Sequence, residues 1–383
     1  MGGSVTAYGY GTTVWRQAND AVNSNAELRL FVDARDNTEY GLLRTYARIN
    51  WIRSSGGDDN SGSQPRRGQF FGNGGSTGYG NLQTGFSGSE AYVQLGGFLA
   101  GRTTSFSWVG PSALQFTTQN PSNGRVNQFA YTASLGNGLS VTGAVEDPAE
   151  LREGISGAAS NAIPNNVPDG VLSFDAAQSW GTVKIAGVLH NVAPSGRETT
   201  ANSKTGYALT GSAKINLPMI AAGDNLQVFG AYGVGAAGRT VGNTATDTNA
   251  SNYSYGVGLV NGGLYDGVQT ATTLTLTKSY SYGAQLQHFF APTVSAYVGG
   301  TYGKLDIPGS VQNTTTLRDI AVWGVALGVI WSPIANLEIN PEVAYRKATS
   351  SAADTVSSAA VAEGSSKKSD DAMYYRLRIA RSF

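Results

Sequence analysis

The chain has 383 residues and a mass of 39.8 kDa, enough for two ordinary soluble domains or one large closed architecture. Lys+Arg and Asp+Glu balance at 26 each, only 14% of residues are charged, glycine occurs 51 times and mean hydropathy is −0.18, which leaves no net field for nucleic acid as a partner. No run of about 18 apolar residues exists, so a membrane-spanning helix is excluded, and the lack of cysteine removes disulfides, thiolate metal sites and thiol nucleophiles.

Met1-Gly2-Gly3 carries neither the basic nor the apolar region of a signal peptide, and the chain is expected to begin after a removed export signal. From there the recurring signal is alternation with period two, the mark of a strand with two unlike faces. Over 26–35, Ala26, Leu28, Leu30, Val32 and Ala34 share one face, and Glu27, Arg29, Phe31, Asp33 and Arg35 the other. Over 42–54, Leu43, Thr45, Ala47, Ile49 and Trp51 oppose Arg44, Tyr46, Arg48 and Asn50, with a compact turn expected at Asp36–Glu39 between the two segments.

The same pattern predicts strands near 4–16, 26–35, 42–54, 88–96, 98–107, 126–135, 138–147, 170–179, 181–192, 204–216, 224–236, 274–290, 293–304, 317–331, 335–349 and 370–383. Their connections alternate in length. Gly96-Gly97, Gly136-Asn137, Gly181, Ala291-Pro292 and Ser332-Pro333-Ile334 are short; 55–87, 108–125, 148–169, 237–273 and 350–369 are long and polar. An even number of amphipathic strands with loops sorted by parity describes an all-β, transmembrane, antiparallel sixteen-stranded barrel, a single domain over 1–383 with short periplasmic turns and long extracellular loops. Closure is forced, because a strand edge facing hydrocarbon leaves backbone groups unsatisfied. The inner face reads as polar and often charged, which predicts a wet lumen, since sixteen strands enclose more space than side chains can fill.

Several stretches resemble the alphaproteobacterial outer-membrane porin family: Glu90-Ala91-Tyr92-Val93-Gln94-Leu95-Gly96-Gly97, Gly101-Arg102-Thr103-Thr104-Ser105-Phe106, Asn340-Pro341-Glu342-Val343-Ala344-Tyr345 and the terminal Arg381-Ser382-Phe383. The resemblance covers about a tenth of the chain. It implies a homotrimer in a Gram-negative outer membrane, in contact with outer-membrane lipid and lipopolysaccharide. Each barrel would carry a pore for small hydrophilic solutes, and the third long loop would fold inward to narrow it. The terminal Phe383, preceded by Ile379, Leu377 and Tyr375 at alternate positions, resembles the signal read by barrel assembly machinery.

Permeation needs a constriction lined by charges that ease entry without trapping the solute. Arg29, Asp33, Arg35, Arg44, Arg48 and Arg102 are the expected wall residues, with Gln115 on the candidate constriction loop 107–125. No carboxylate occurs from Ala91 to Val145, so that loop cannot supply the acidic half of a transverse field, and weak anion preference is expected. Glu146, Asp147, Glu150 and Glu153 could offset it at the mouth. Salt bridging across strands is the competing reading of the arginines. Trp51, Trp180, Trp323 and Trp331 near strand ends suit interfacial girdles.

Catalysis is not expected: His190 and His288 are the only histidines and neither has a triad signature. No metal or cofactor is implied, and Asp58-Asp59-Asn60 lacks the spacing of a calcium loop. A substrate-specific channel is the main alternative, and a surface adhesin, which would show a repeat of 20–50 residues, is the weaker one.

Overall fold

The computed structural model describes residues 2–13, 22–55, 83–110, 124–156, 167–194, 200–241, 265–312, 319–355 and 366–383. Its strands in chain order are β1 (Gly2–Thr13), β2 (Val22–Thr38), β3 (Gly41–Ser55), β4 (Gln83–Leu95), β5 (Phe98–Thr104), β6 (Arg125–Gly136), β7 (Leu139–Glu146), β8 (Gly154–Ser156), β9 (Asp169–Gln178), β10 (Gly181–Val192), β11 (Lys204–Asn216), β12 (Asn225–Val234), β13 (Tyr265–Gln269), β14 (Leu274–Leu276), β15 (Lys278–Ala291), β16 (Val294–Asp306), β17 (Ile320–Trp331), β18 (Leu337–Thr355) and β19 (Ser366–Ser382). All but β8, β13 and β14 form one closed antiparallel ring, in which β1 pairs with both β2 and β19. That ring has the sixteen members read from the alternation.

Facing follows the pleat. On β10, Ile185 and Leu189 are exposed outward while Ala186, Val188 and His190 are buried inward; on β18, Asn340, Glu342 and Arg346 are buried opposite the outward row of Ile339, Val343 and Tyr345. The β2–β3 register confirms the shared inner row: Arg29 opposes Asn50, Phe31 opposes Arg48, Asp33 opposes Tyr46 and Arg35 opposes Arg44. The turn itself lies later than expected. The ladder runs on to Thr38–Gly41, and the Thr38 hydroxyl closes it by donating to the Gly41 carbonyl at 2.7 Å.

One expectation is corrected. The inner face is not polar all round: on the arc from β6 to β11, Ala130, Ala144, Val171, Val188 and Ala208 line it and are buried together with Ala236, against Leu99 and Phe106. Apolar groups there are stable because inward chain covers them, not water. The cover includes a small sheet in which β13 pairs with β14 antiparallel and with β8 in parallel, placed between the long connections after β7 and β12. Ala237, Val241 and Val268 of this cover pack against Leu305 and Ile307 of the wall and its extension. Ile155 and Leu274 pack against Val192.

Candidate functional site: the lumen and its constriction

The β2–β4 side of the lumen carries charge in three groups. At the short-turn end, Asp33 is clamped by two guanidiniums, accepting from Arg44 at 2.8 and 2.9 Å and from Arg35 at 2.8 and 3.2 Å. The Arg44 guanidinium lies 5.3 Å from the Tyr46 ring and 5.5 Å from the Tyr92 ring, which stack on each other at 5.2 Å. Further up, Arg29 pairs with Glu27 at 2.7 Å. Glu90 is shared by Arg48 at 3.3 Å and Arg125 at 3.4 Å, and the Thr103 hydroxyl also donates to it. Five arginines, Arg29, Arg35, Arg44, Arg48 and Arg125, therefore share three carboxylates, Glu27, Asp33 and Glu90. Every one of these arginines is paired, yet in this group the positive charges outnumber the negative.

Arg102 lies elsewhere. In the ladder it opposes Ala91 and Asn127, on the row of Phe98 and Ala100 that faces outward, and it pairs with Glu150 at 3.2 Å beyond the end of β7. Gln115 and the rest of 111–123 lie outside the described residues, as does Asp58-Asp59-Asn60.

The third long loop is described over its first residues, and those turn inward. Ser105, Ser107 and Val109 are buried, and the Ser107 carbonyl accepts from the Thr210 hydroxyl of β11 at 2.8 Å, five positions round the ring from β5. Phe106 lies 5.7 Å from the Lys184 ammonium on the inner row of β10.

The group that organises this region was not singled out in the sequence. Arg239 sits in a short 3-10 turn, Ala237–Arg239, just after β12, and is 2% exposed. Its Nη1 donates to the Ser105 and Ser107 hydroxyls at 2.8 and 3.0 Å and to Glu146 at 2.7 Å; its Nη2 donates to Asp169 at 2.7 Å. Burial alone would lower its pKa, but the Glu146 and Asp169 carboxylates raise it above the ordinary guanidinium value and hold the charge in place. Asp169 also contacts His190 Nδ1 at 2.7 Å, and His190 Nε2 lies 3.5 Å from Asp266 of β13. Asp266 in turn accepts from the backbone N–H groups of Glu153 at 2.6 Å and Ala237 at 2.7 Å. Glu146 thus closes β7 as a buried partner rather than standing at the mouth. His190 is a structural link in the same chain of contacts, and no group of three or more potential metal ligands occurs among the described residues.

A closed sixteen-strand ring with an outward apolar belt, an inward-turned third loop and a charged inner wall is the architecture of a porin. Residues 5–374 match the family model described as "Porin subfamily". The chain belongs to the porin family. Among solved structures, the porin resembles the outer membrane channel DcaP of Acinetobacter baumannii (TM-score 0.68, 12% identity, covering 100% of this chain and 96% of that one). It also resembles an anion-selective porin from Comamonas acidovorans (TM-score 0.52, 12% identity, 100% and 98%) and OprB of Pseudomonas putida (TM-score 0.53, 10% identity, 100% and 93%). No curated protein sequence matches it. At these identities the structural likeness speaks for the fold. As a porin barrel, the protein belongs to the Gram-negative outer membrane.

Proposed function

We propose that this porin is a general-diffusion channel of the alphaproteobacterial type, passing small hydrophilic solutes and ions with a weak preference for anions. The observation that carries the reading is the excess of arginine on the β2–β6 wall, set beside a third loop that holds no carboxylate. Anions crossing beside Arg29, Arg44 and Arg48 meet a favourable potential. Because each arginine already shares a carboxylate, that potential is shallow enough to let them leave. The constriction takes the inward third loop as one side and the Arg29, Asp33, Arg35, Arg44 and Arg48 row as the other, with Gln115 on the loop. Arg102, on the outward row, acts through Glu150 and the mouth. The working unit is a homotrimer embedded in outer-membrane lipid and lipopolysaccharide, delivered by the barrel assembly machinery through Phe383. It is a channel and not an enzyme.

Single-channel conductance in a planar bilayer, with the reversal potential read under a KCl gradient, tests this. Stepwise open channels with slight anion preference are expected, and neutralising Arg44 and Arg48 together should move the reversal potential toward cation preference. Absence of conductance, or cation preference in the parent, overturns the reading.

One observation favours a second reading, a solute-specific channel. Phe31, Tyr46 and Tyr92 form a run of rings on the inner row, with centroids 6.5 and 5.2 Å apart. A ring-shaped solute sliding over these faces would block the ion current at low concentration, whereas a diffusion pore would pass it without block.

A further inference from the structure

We infer that Arg239, from the long connection after β12, is the positioning residue of the constriction: it sets how far the third loop stands off the wall and ties that loop to the small sheet of β8, β13 and β14. The inference rests on the reading that the third loop narrows a conducting pore. Three observations carry it. First, one guanidinium holds three things that come from distant parts of the chain. These are the Ser105 and Ser107 hydroxyls at the root of the third loop, the wall carboxylates Glu146 of β7 and Asp169 of β9, and its own turn beside β12. Second, the loop root depends on the same carboxylate. Ser105 Oγ lies 2.8 and 3.0 Å from the two Glu146 oxygens, and the Phe106 N–H donates to Glu146 at 3.0 Å. Third, the turn bearing Arg239 is fixed on its other side. The Ala237 N–H donates to Asp266, the Thr240 hydroxyl meets the Ser279 hydroxyl of β15 at 2.5 Å, and the Ser281 hydroxyl donates to the Thr240 carbonyl.

Two carboxylates, Glu146 and Asp169, are 0% and 1% exposed, one inward position along the strands from Ala144 and Val171 of the apolar arc. A buried ion pair of this kind confers little net stability over an apolar substitute, but breaking it leaves an unpaired charge, so the arrangement is all-or-none. That property suits a part whose task is to fix a position. With the cation removed, Glu146 must find water or a proton. The natural route is for Ser105 to Ser107 and the turn at 237–239 to part, which widens the passage and loosens the loop.

The test uses the full chain refolded in detergent, with folding checked by its migration on an unheated gel. Parent conductance is measured first, and a parent that does not conduct fails the diffusion reading whatever Arg239 does. Given a conducting parent, Arg239→Gln is expected to raise the unit conductance by a factor on the order of two. Its current should also flicker between levels. Arg239→Lys, which keeps the charge but cannot fork between Glu146 and Asp169, should restore part of the parent behaviour. The Ser105→Ala/Ser107→Ala pair removes only the grip on the loop and leaves both ion pairs to the wall. It should move conductance in the same direction by less, and it decides the matter if Arg239→Gln does not fold. Folded variants whose conductance, current noise and reversal potential equal the parent's would overturn the assignment, because a merely structural arginine would change stability and none of these.

Discussion

Tyr297 of β16 lies flat across Gly328 of β17: a methyl group built on that glycine would stand 2.2 Å from the ring. The ring is held there. Its hydroxyl bonds the Glu342 carboxylate and lies within hydrogen-bond reach of Asn340, and both of these accept from Arg376 Nη2, at 3.0 and 2.7 Å. A glycine on the inner row of one strand thus lets a tyrosine from the next lean over and join a polar group on β18 and β19.

Gly328→Ala should therefore cost on the order of 1–3 kcal/mol, the usual penalty for overpacking, because the tethered ring cannot swing aside without leaving Glu342. Equilibrium unfolding in urea with detergent reads this. Adding Tyr297→Phe should relieve part of the cost by freeing the ring; a single variant as stable as the parent would show that the ring is not held.

Glu90→Gln removes the carboxylate shared by Arg48 and Arg125 and leaves the Arg48 guanidinium on the lumen wall without it. Anion preference should rise, and the reversal potential under a KCl gradient should move further to the anion side, most strongly at low salt, where screening is weakest. Arg48→Gln should move it the opposite way.

Ile185, half exposed near the middle of β10, should reject charge. Arginine there belongs to the lipid face, where the midplane cost is about 2–4 kcal/mol, whereas lysine at Ser212 lies on the inner row opposite Lys184 and should cost little. Folding yield into vesicles of defined lipid distinguishes the two. Equal yields would contradict the facing assigned here.

At the short-turn end, Asp224 contacts His288 Nδ1 at 2.6 Å and accepts from the Phe289 N–H at 2.7 Å. Burial would raise the Asp224 pKa, but the His288 ring and the Phe289 amide outweigh it and hold the carboxyl below its ordinary value. The sign follows: a carboxyl with a depressed pKa in the folded state stabilises above its unfolded value of about 4 and stops doing so as pH falls through the folded one. Asp224→Asn should thus lower the melting temperature at pH 7, and the gap from the parent should close in acid. A gap that persists unchanged at low pH would assign the effect to packing.

Much of this architecture was legible because alternation is a local property. Leu337, Ile339, Val343 and Tyr345 declare their face within one strand, and the hairpin carrying Arg29, Asp33, Arg35, Arg44 and Arg48 needs only its own two strands to place their side chains on one row. Arg239 was illegible for the complementary reason. It lies between Gly238 and Thr240 in a connection without period, and its partners come from residues 105, 107, 146 and 169, so no window of sequence contains the interaction. A faint signal did exist. Asp169 and Glu146 share an inner row with Val171 and Ala144, and a carboxylate in apolar company requires a cation from somewhere. The apolar inner arc was missed because alternation distinguishes two faces only when they differ, and there both are apolar.

The ring closes where β1 meets β19, with Ser4 opposite Ser382 and Thr13 opposite Met373. Every other seam in the barrel joins ring strands that follow one another along the chain; this one joins the first ring strand to the last. The entropy of bringing them together cannot be recovered until the intervening strands are in place, so this seam carries the largest loop-closure cost of the ring. Until it forms, β1 and β19 each present an open edge to the membrane, and that pair of edges is where a half-built barrel would capture a neighbour's strand instead of its own.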